Sequence, residues 1–347
     1  MNILKINNIY KKYKNSSSLA VKNLSILVKK GELFCIVGES GSGKTTILRL
    51  IAGFEKPSGG VIQINNNIVV NKNTFISPDQ RKIGMVFQNY ALFPHLTVEE
   101  NISFGLYKLN NKIKKQKVSE VLKLVGLVGF EKRYPEELSG GQQQRTALAR
   151  AIAPSPSLIL LDEPFSNLDN ELKDQIREEV REILKKSNIT AIIVTHDTKD
   201  ALSISDNIAI LKSGVLQQIG SPREIYQNPI NKYVAQFFGK VNYIKAIAVK
   251  NGFLSELGFV YSTQSNFFKK KEIILNIRPE DIQICKNNES KCRGCIKSII
   301  YWGNCQILKI STLIHTIEIF TSCDSKIKTG DMVFIKIKEL KYIINSL

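Results

Sequence analysis

Apolar and polar positions change rhythm several times along the chain, and each rhythm predicts an element. Residues 3–10 (ILKINNIY) and 20–28 (AVKNLSILV) alternate, as strands do when every second side chain faces a core. GELFCIV at 31–37 is a continuous apolar run, the pattern of a strand buried on both faces, and a glycine-rich turn follows it. TTILRLIAGF at 45–54 then has helical spacing. SGGVIQINNNIVV at 58–70 predicts a strand pair, and KIGMVFQ at 82–88 another strand ending near Gln88. Between 97 and 153 the rhythm is helical in TVEENISFGL, KKQKVSEVLKLVGL and GQQQRTALARAIA. SLILLD (157–162), TAIIVTHD (190–197) and NIAILKSG (207–214) are β-branched runs too short for buried helices. With the helix NELKDQIREEVREILKKS between the first two, they predict parallel strands of an α/β core.

Beyond NKYVAQFFGK (231–240) the texture changes. KEIILNIRP, CQILKIST and MVFIKIKEL read as short strands separated by turns, with almost no helical signal. The expected organisation is therefore an α/β domain over 1–239, with a helical subdomain at about 90–155, and a small all-β barrel over 240–347.

Composition changes this picture little. The chain has 347 residues, 43% of them hydrophobic, and no run of apolar residues long enough to span a membrane. The start, MNILKINNIYKKYK, lacks the apolar centre of a signal peptide, so a cytoplasmic protein with six reduced cysteines is expected. The net charge is +18, but the basic residues sit in short runs such as Lys11–Lys12, Lys29–Lys30 and Lys269–Lys271. A solvated surface explains these better than nucleic acid does, and no nucleic-acid partner is expected.

The chemistry lies in the turns. Gly38, Glu39, Ser40, Gly41, Ser42, Gly43, Lys44, Thr45 and Thr46 form a phosphate-binding loop between a strand and a helix. Glycines let several N–H groups point at one phosphate chain, and the helix adds its positive end. Lys44 would reach the β- and γ-phosphates of ATP, and the Thr45 hydroxyl would ligate Mg²⁺. Asp162, ending SLILLD, would hold Mg²⁺, and Glu163 would orient a water for attack on the γ-phosphate. Gln88 could contact both the Mg²⁺ and that water, and His196 could hydrogen-bond the γ-phosphate. A second glycine turn, LSGGQ at 138–142, opens another helix; it suits an anion, or it is a helix cap.

In this order, the phosphate loop, Gln88, LSGGQ, LLDE at 160–163, Asp169 and His196 resemble the motifs of ATP-binding-cassette (ABC) ATPases over nearly all of residues 1–239. That resemblance implies a head-to-tail homodimer with two ATP molecules sandwiched at the interface. Ser139, Gly140, Gly141 and Gln142 would then cap ATP held by the partner copy's phosphate loop. It further implies that Tyr13 stacks on adenine, with Tyr10 as competitor, and that SNLD at 166–169 communicates across the dimer. IRPEDI at 277–282 resembles the OB-like (TOBE/MOP-like) accessory barrel of importer ATPases. Residues 77–106 and 153–169 look most like ferric-ion importer ATPases; spermidine/putrescine, sugar and sulfate or other anion importers share most of these features. The implied partners are membrane permease subunits, met by Tyr90, Phe93 and Phe104 if these are exposed (Phe104 suits a core role equally), and indirectly a solute-binding protein, so the chain would sit on the cytoplasmic face of the cell membrane. Thr198 and Asp200 depart from the family's usual Gln and Glu, an exchange expected to matter little. Cys292 and Cys295 lack the second pair that a zinc ribbon requires.

Overall fold

The computed structural model describes residues 1–14, 16–262, 272–285, 292–323, 327–338 and 343–344; the Lys269–Lys271 run lies outside them. The chain divides into two compact units, Met1–Pro222 and Arg223–Leu347.

The first unit holds two sheets. In the smaller, β1 (Asn2–Lys12) pairs antiparallel with β2 (Leu19–Lys29) and β4 (Gly59–Ile64), and β5 (Asn67–Val70) closes the edge. Their alternating patterns place Leu4, Ile6, Ile9, Leu24, Ile26 and Val28 inward. The larger sheet runs β10 (Val215–Gly220), β9 (Asn207–Lys212), β3 (Leu33–Gly38), β8 (Thr190–Thr195), β7 (Leu158–Asp162) and β6 (Ile83–Val86). All of its pairings are parallel except the hairpin between β9 and β10. Every residue of β3 and β8 is buried, as their unbroken apolar runs require.

Helix α1 (Lys44–Ala52) packs Ile47, Leu48 and Ile51 into a core shared by both sheets. The helical stretch consists of α2 (Val98–Ser103), α3 (Asn111–Leu124) and α4 (Gly140–Ile152). Thr97 and Asn110 cap α2 and α3 through their side chains, and a reciprocal Thr97–Glu100 box starts α2. Two further helices, α5 (Asn170–Lys186) and α6 (Thr198–Ile204), precede β8 and β9.

The second unit begins with α7 (Pro222–Gln227) and α8 (Lys232–Phe237), whose sequence predicted them on the first domain. The boundary expected at 239 falls at 222/223 instead. Contacts explain the shift: the Tyr226 hydroxyl donates to Glu280 at 2.5 Å, and the buried Arg278 guanidinium lies 4.3 Å over the Tyr226 ring. Two five-stranded antiparallel sheets follow; one runs β13 (Gly258–Tyr261), β12 (Gly252–Ser255), β11 (Asn242–Val249), β14 (Glu272–Ile277) and β20 (Ile343–Ile344). The other contains β15 (Ile282–Cys285), β16 (Arg293–Tyr301), β17 (Gln306–Ser311), β18 (Thr316–Thr321) and β19 (Met332–Ile337). They enclose one core around Phe253, Leu275, Leu308 and Ile335.

Candidate functional site

Strand β3 ends at Gly38, and α1 starts at Lys44, so the phosphate loop spans the gap between a buried strand and a helix N-terminus. Glu39, Ser40 and Gly41 are exposed, whereas Thr45 and Thr46 lie half-buried on the first turn of α1. A Cβ on Gly38 would come 2.4 Å from the Leu211 carbonyl oxygen of β9. Only glycine lets β3 run this close to its neighbour before turning. Gly38→Ala should therefore cost about 1–3 kcal/mol through overpacking against backbone, read as a lower urea midpoint at unchanged slope.

Lys44 is 5% exposed, and its ammonium donates to the carbonyl oxygens of Gly38 at 2.8 Å and Glu39 at 3.0 Å. Burial pulls its pKa down, against the opposing pull of Glu163 and Asp162. The Ser42 hydroxyl, buried in the same loop, has no protein partner. The Tyr13 hydroxyl lies 3.4 Å from that of Thr46, which puts its ring beside the loop. Tyr10 instead packs over Gly59 on β4.

Adjacent strands β8, β7 and β6 carry the other candidates to one edge of the sheet. In a parallel sheet all such chain exits face the same side, the usual place for a ligand. Asp162 ends β7, and burial, reinforced by the neighbouring Glu163 charge, raises its pKa. Glu163 follows in the left-handed region at φ 47°, held there by its amide donating to Val194 O at 2.8 Å and by the Ser166 hydroxyl donating to its carbonyl at 2.9 Å. Its carboxylate lies 3.1 Å from His196 Nδ1 and 3.5 Å from Gln88 Nε2. Gln88 stands beyond the end of β6, not at its last residue, and Asn167 Nδ2 donates to its carbonyl at 2.8 Å. The loop between β6 and α2 thus reaches Glu163 because the 166–167 turn holds it.

The second glycine turn is built as a capping box. The Ser139 hydroxyl accepts from the Gln142 amide at 3.4 Å, and Gln142 Oε1 accepts from the Ser139 amide at 3.0 Å. The first N–H groups of a helix have no intrahelical partner, which leaves the Gly140 and Gly141 amides without a helix acceptor, Gly140 at the exposed corner and Gly141 buried behind it. Gly141 has a second reason to lack a side chain: its Cβ would lie 2.7 Å from Ile176 Cδ1 of α5. Asp169 is the exposed N-cap of α5 and makes no capping bond through its side chain. Among the described residues, no hydrogen bond joins this corner to the phosphate loop.

Tyr90 and Asp200 behave otherwise than their sequence context implied, whereas Phe104 stands exposed. Tyr90 is buried, with its hydroxyl pushed up to about 12 by desolvation, so it belongs to the core. Phe104 is exposed and lies 4.4 Å from the Phe93 ring, centroid to centroid, with the Arg150 guanidinium over Phe93. Asp200, whose shorter side chain seemed inconsequential, is buried in an ion pair with Arg177, a residue the sequence did not single out. The Cys292 thiol is pushed up to about 11, chiefly by burial.

Residues 21–166 match the family model described as ABC transporter. The spermidine/putrescine import ATP-binding protein PotA of Acetivibrio thermocellus is 41% identical over 304 residues, covering 87% of this chain and 85% of that protein. The Fe(3+) ions import ATP-binding protein FbpC of Fusobacterium nucleatum is 40% identical over 350 residues, covering 97% and 92%. Among solved structures, a dimeric post-hydrolysis state of the ATP-binding cassette MJ0796 bound to ADP and Pi superposes with a TM-score of 0.54 at 33% identity, covering 63% of this chain and 99% of that one.

Proposed function

This chain belongs to the import ATP-binding proteins of the ABC transporter family, and from that premise we propose how its residues work and what they drive. It hydrolyses ATP, and hydrolysis is coupled to import. The observation that carries the proposal is the meeting of Glu163, His196 and Gln88 at the sheet edge that also bears Asp162 and the Lys44 loop.

Lys44, freed from its two carbonyls, binds the β- and γ-phosphates, and the unpartnered Ser42 hydroxyl fits a phosphate oxygen. Thr45, Gln88 and Asp162 present an all-oxygen donor set suited to Mg²⁺, which when bound neutralises phosphate charge. Glu163 accepts the proton of the attacking water, and His196, beside it, donates to the γ-phosphate. Tyr13 stacks on the adenine.

Among the described residues, no hydrogen bond brings the 138–142 turn to the phosphate loop of its own chain. We assign the capping of the γ-phosphate to Ser139, Gly140, Gly141 and Gln142 of a second copy, with Asp169 at the same seam, in a head-to-tail homodimer. ATP then acts as glue between copies, and hydrolysis removes the bridge. The relative solved as a dimer with ADP and Pi supports this reading.

Among the described residues no helix is long and apolar enough to cross a membrane. We assign the role of receiving the motion to permease subunits, for which the Phe93–Phe104 pair offers an aromatic seat on the cytoplasmic face. The second unit is read as an OB-like accessory barrel, supported by its two antiparallel sheets around one core.

For cargo we propose ferric iron, supported by residues 77–106 and 153–169 and by the Fe(3+) relative. The polyamine relative favours spermidine/putrescine as a second reading. Deleting the gene and measuring uptake of labelled ferric iron and putrescine decides between them. Iron uptake is expected to fall at least tenfold with putrescine uptake unchanged; the reverse pattern would reassign the cargo.

A further inference from the structure

The turn that carries His196 is gripped from behind by a buried ionic network. Arg177, on α5, is 4% exposed, and each nitrogen of its guanidinium meets a different carboxylate. Nε donates to Asp200 at 2.6 Å, Nη1 to Asp174 at 2.6 Å and Nη2 to Asp197 at 2.9 Å. Asp200, on α6, is also 4% exposed, and its other oxygen accepts from the Thr195 hydroxyl at 2.7 Å. The same hydroxyl accepts from the Asp197 amide at 3.0 Å, and Asp197 caps α6 through the Lys199 amide at 2.8 Å.

Both neighbours of His196 are therefore fixed, Thr195 by Asp200 and Asp197 by Arg177. His196 itself is exposed, and among the described residues its ion-pair contact is the Glu163 carboxylate. An imidazole on a two-residue turn would otherwise swing, and a misplacement of 1 Å at a reacting group is costly. Each guanidinium nitrogen has a carboxylate partner, and the buried Arg177–Asp200 pair keeps its charges compensated, the condition under which such a pair can hold a turn rigid.

We propose that Arg177, Asp200 and Thr195 are positioning residues for ATP hydrolysis, acting through His196 by locking the 195–197 turn. This rests on the assignment of His196 to the γ-phosphate given above. Burial raises the pKa of the Asp200 carboxyl, with the Thr195 hydrogen bond and the Arg177 charge opposing. The carboxylate at 200 thus relies on those partners to stay ionised. Glu at 200 keeps the negative charge that Asn lacks, so Asp200→Glu should restore function where Asp200→Asn does not.

The test is a double-mutant cycle on the full-length protein, with steady-state ATP turnover and ATP affinity measured separately. Asp200→Asn is expected to lower kcat about 10- to 100-fold with KM for ATP within about threefold of the parent, and Asp200→Glu to recover most of the loss. In a His196→Ala background the same Asp200→Asn change should lower kcat less than twofold, because the group it positions is gone. Losses that multiply in full across both backgrounds would make the network merely structural and overturn the inference. Unchanged kcat in folded Asp200→Asn would overturn it too, while leaving the His196 assignment intact. Full turnover in His196→Ala alone would instead remove that assignment, and the inference with it. If Asp200→Asn fails to fold, Thr195→Val, which removes one hydroxyl and keeps the Arg177–Asp200 pair, serves in its place with the same expected non-additivity.

Discussion

Replacing Glu163 with Gln is expected to lower ATP turnover by about 10²- to 10⁴-fold while ATP binding holds or tightens. The amide keeps the shape of the side chain and its contacts with His196 and Gln88, but it cannot take a proton from water. Binding should not suffer, since the lost charge is one that already disfavours ionisation of Asp162 and would repel a triphosphate. Equilibrium nucleotide binding and phosphate release in a single turnover measure the two halves of this statement. A Glu163→Gln protein that hydrolyses at the parent rate would falsify the assignment of the base.

The second large effect concerns the shared site. Lys44→Ala should abolish ATP binding, because the only cation inside the phosphate loop is removed. Ser139→Arg should leave binding intact and prevent ATP-driven pairing; the position is exposed, so the substitution costs only about 1 kcal/mol of lost helix cap. Each variant alone is inactive. In a head-to-tail dimer, however, a mixed pair contains one site made wholly of parent residues and one carrying both changes. Mixing equal amounts should therefore regenerate up to about half of the sites, since only mixed pairs can hold ATP across the seam and each has one good site of two. Occluded nucleotide, counted after rapid filtration, reports the number. Complete absence of recovery would mean that the LSGGQ corner serves the ATP of its own chain or none.

Much of this could be read without coordinates. The phosphate loop is legible because strand, turn and helix are contiguous, and the chemistry depends on N–H groups within nine residues of one another. Asp162 and Glu163 are legible for the same reason, at the end of a buried strand. The apolar run ending in Gln88 predicts a strand up to that residue, yet β6 stops at Val86, and what brings the side chain to Glu163 is the hydrogen bond from Asn167 across 79 residues of sequence. Tyr90 looked like part of an exposed aromatic group and is core, because alternation in a loop carries no information about which side faces inward.

Gly141 shows the same limit in another form. The turn suggested a residue left bare for an anion, and the backbone N–H argument stands. Only packing reveals that Ile176 of α5 also fills the space where a side chain would sit. The domain boundary moved for a related reason. The two helices before residue 240 have helical spacing like those of the first unit, but spacing does not say which core they cover, and the Tyr226–Arg278–Glu280 contacts do.

Sequence alone therefore determined most of the elements, their order and the family to which the motifs point, since each of these is written in residues a few positions apart. The tertiary structure alone decided which side chains meet. The strand order β8, β7, β6 collects His196, Glu163 and Gln88 from stretches more than thirty residues apart. The clamp of Arg177 on Asp197 and Asp200 spans 20 and 23 residues, and no local pattern foretells it. Pairing energies depend on distance in space, and separation along the chain says little about that distance once the sheet has closed.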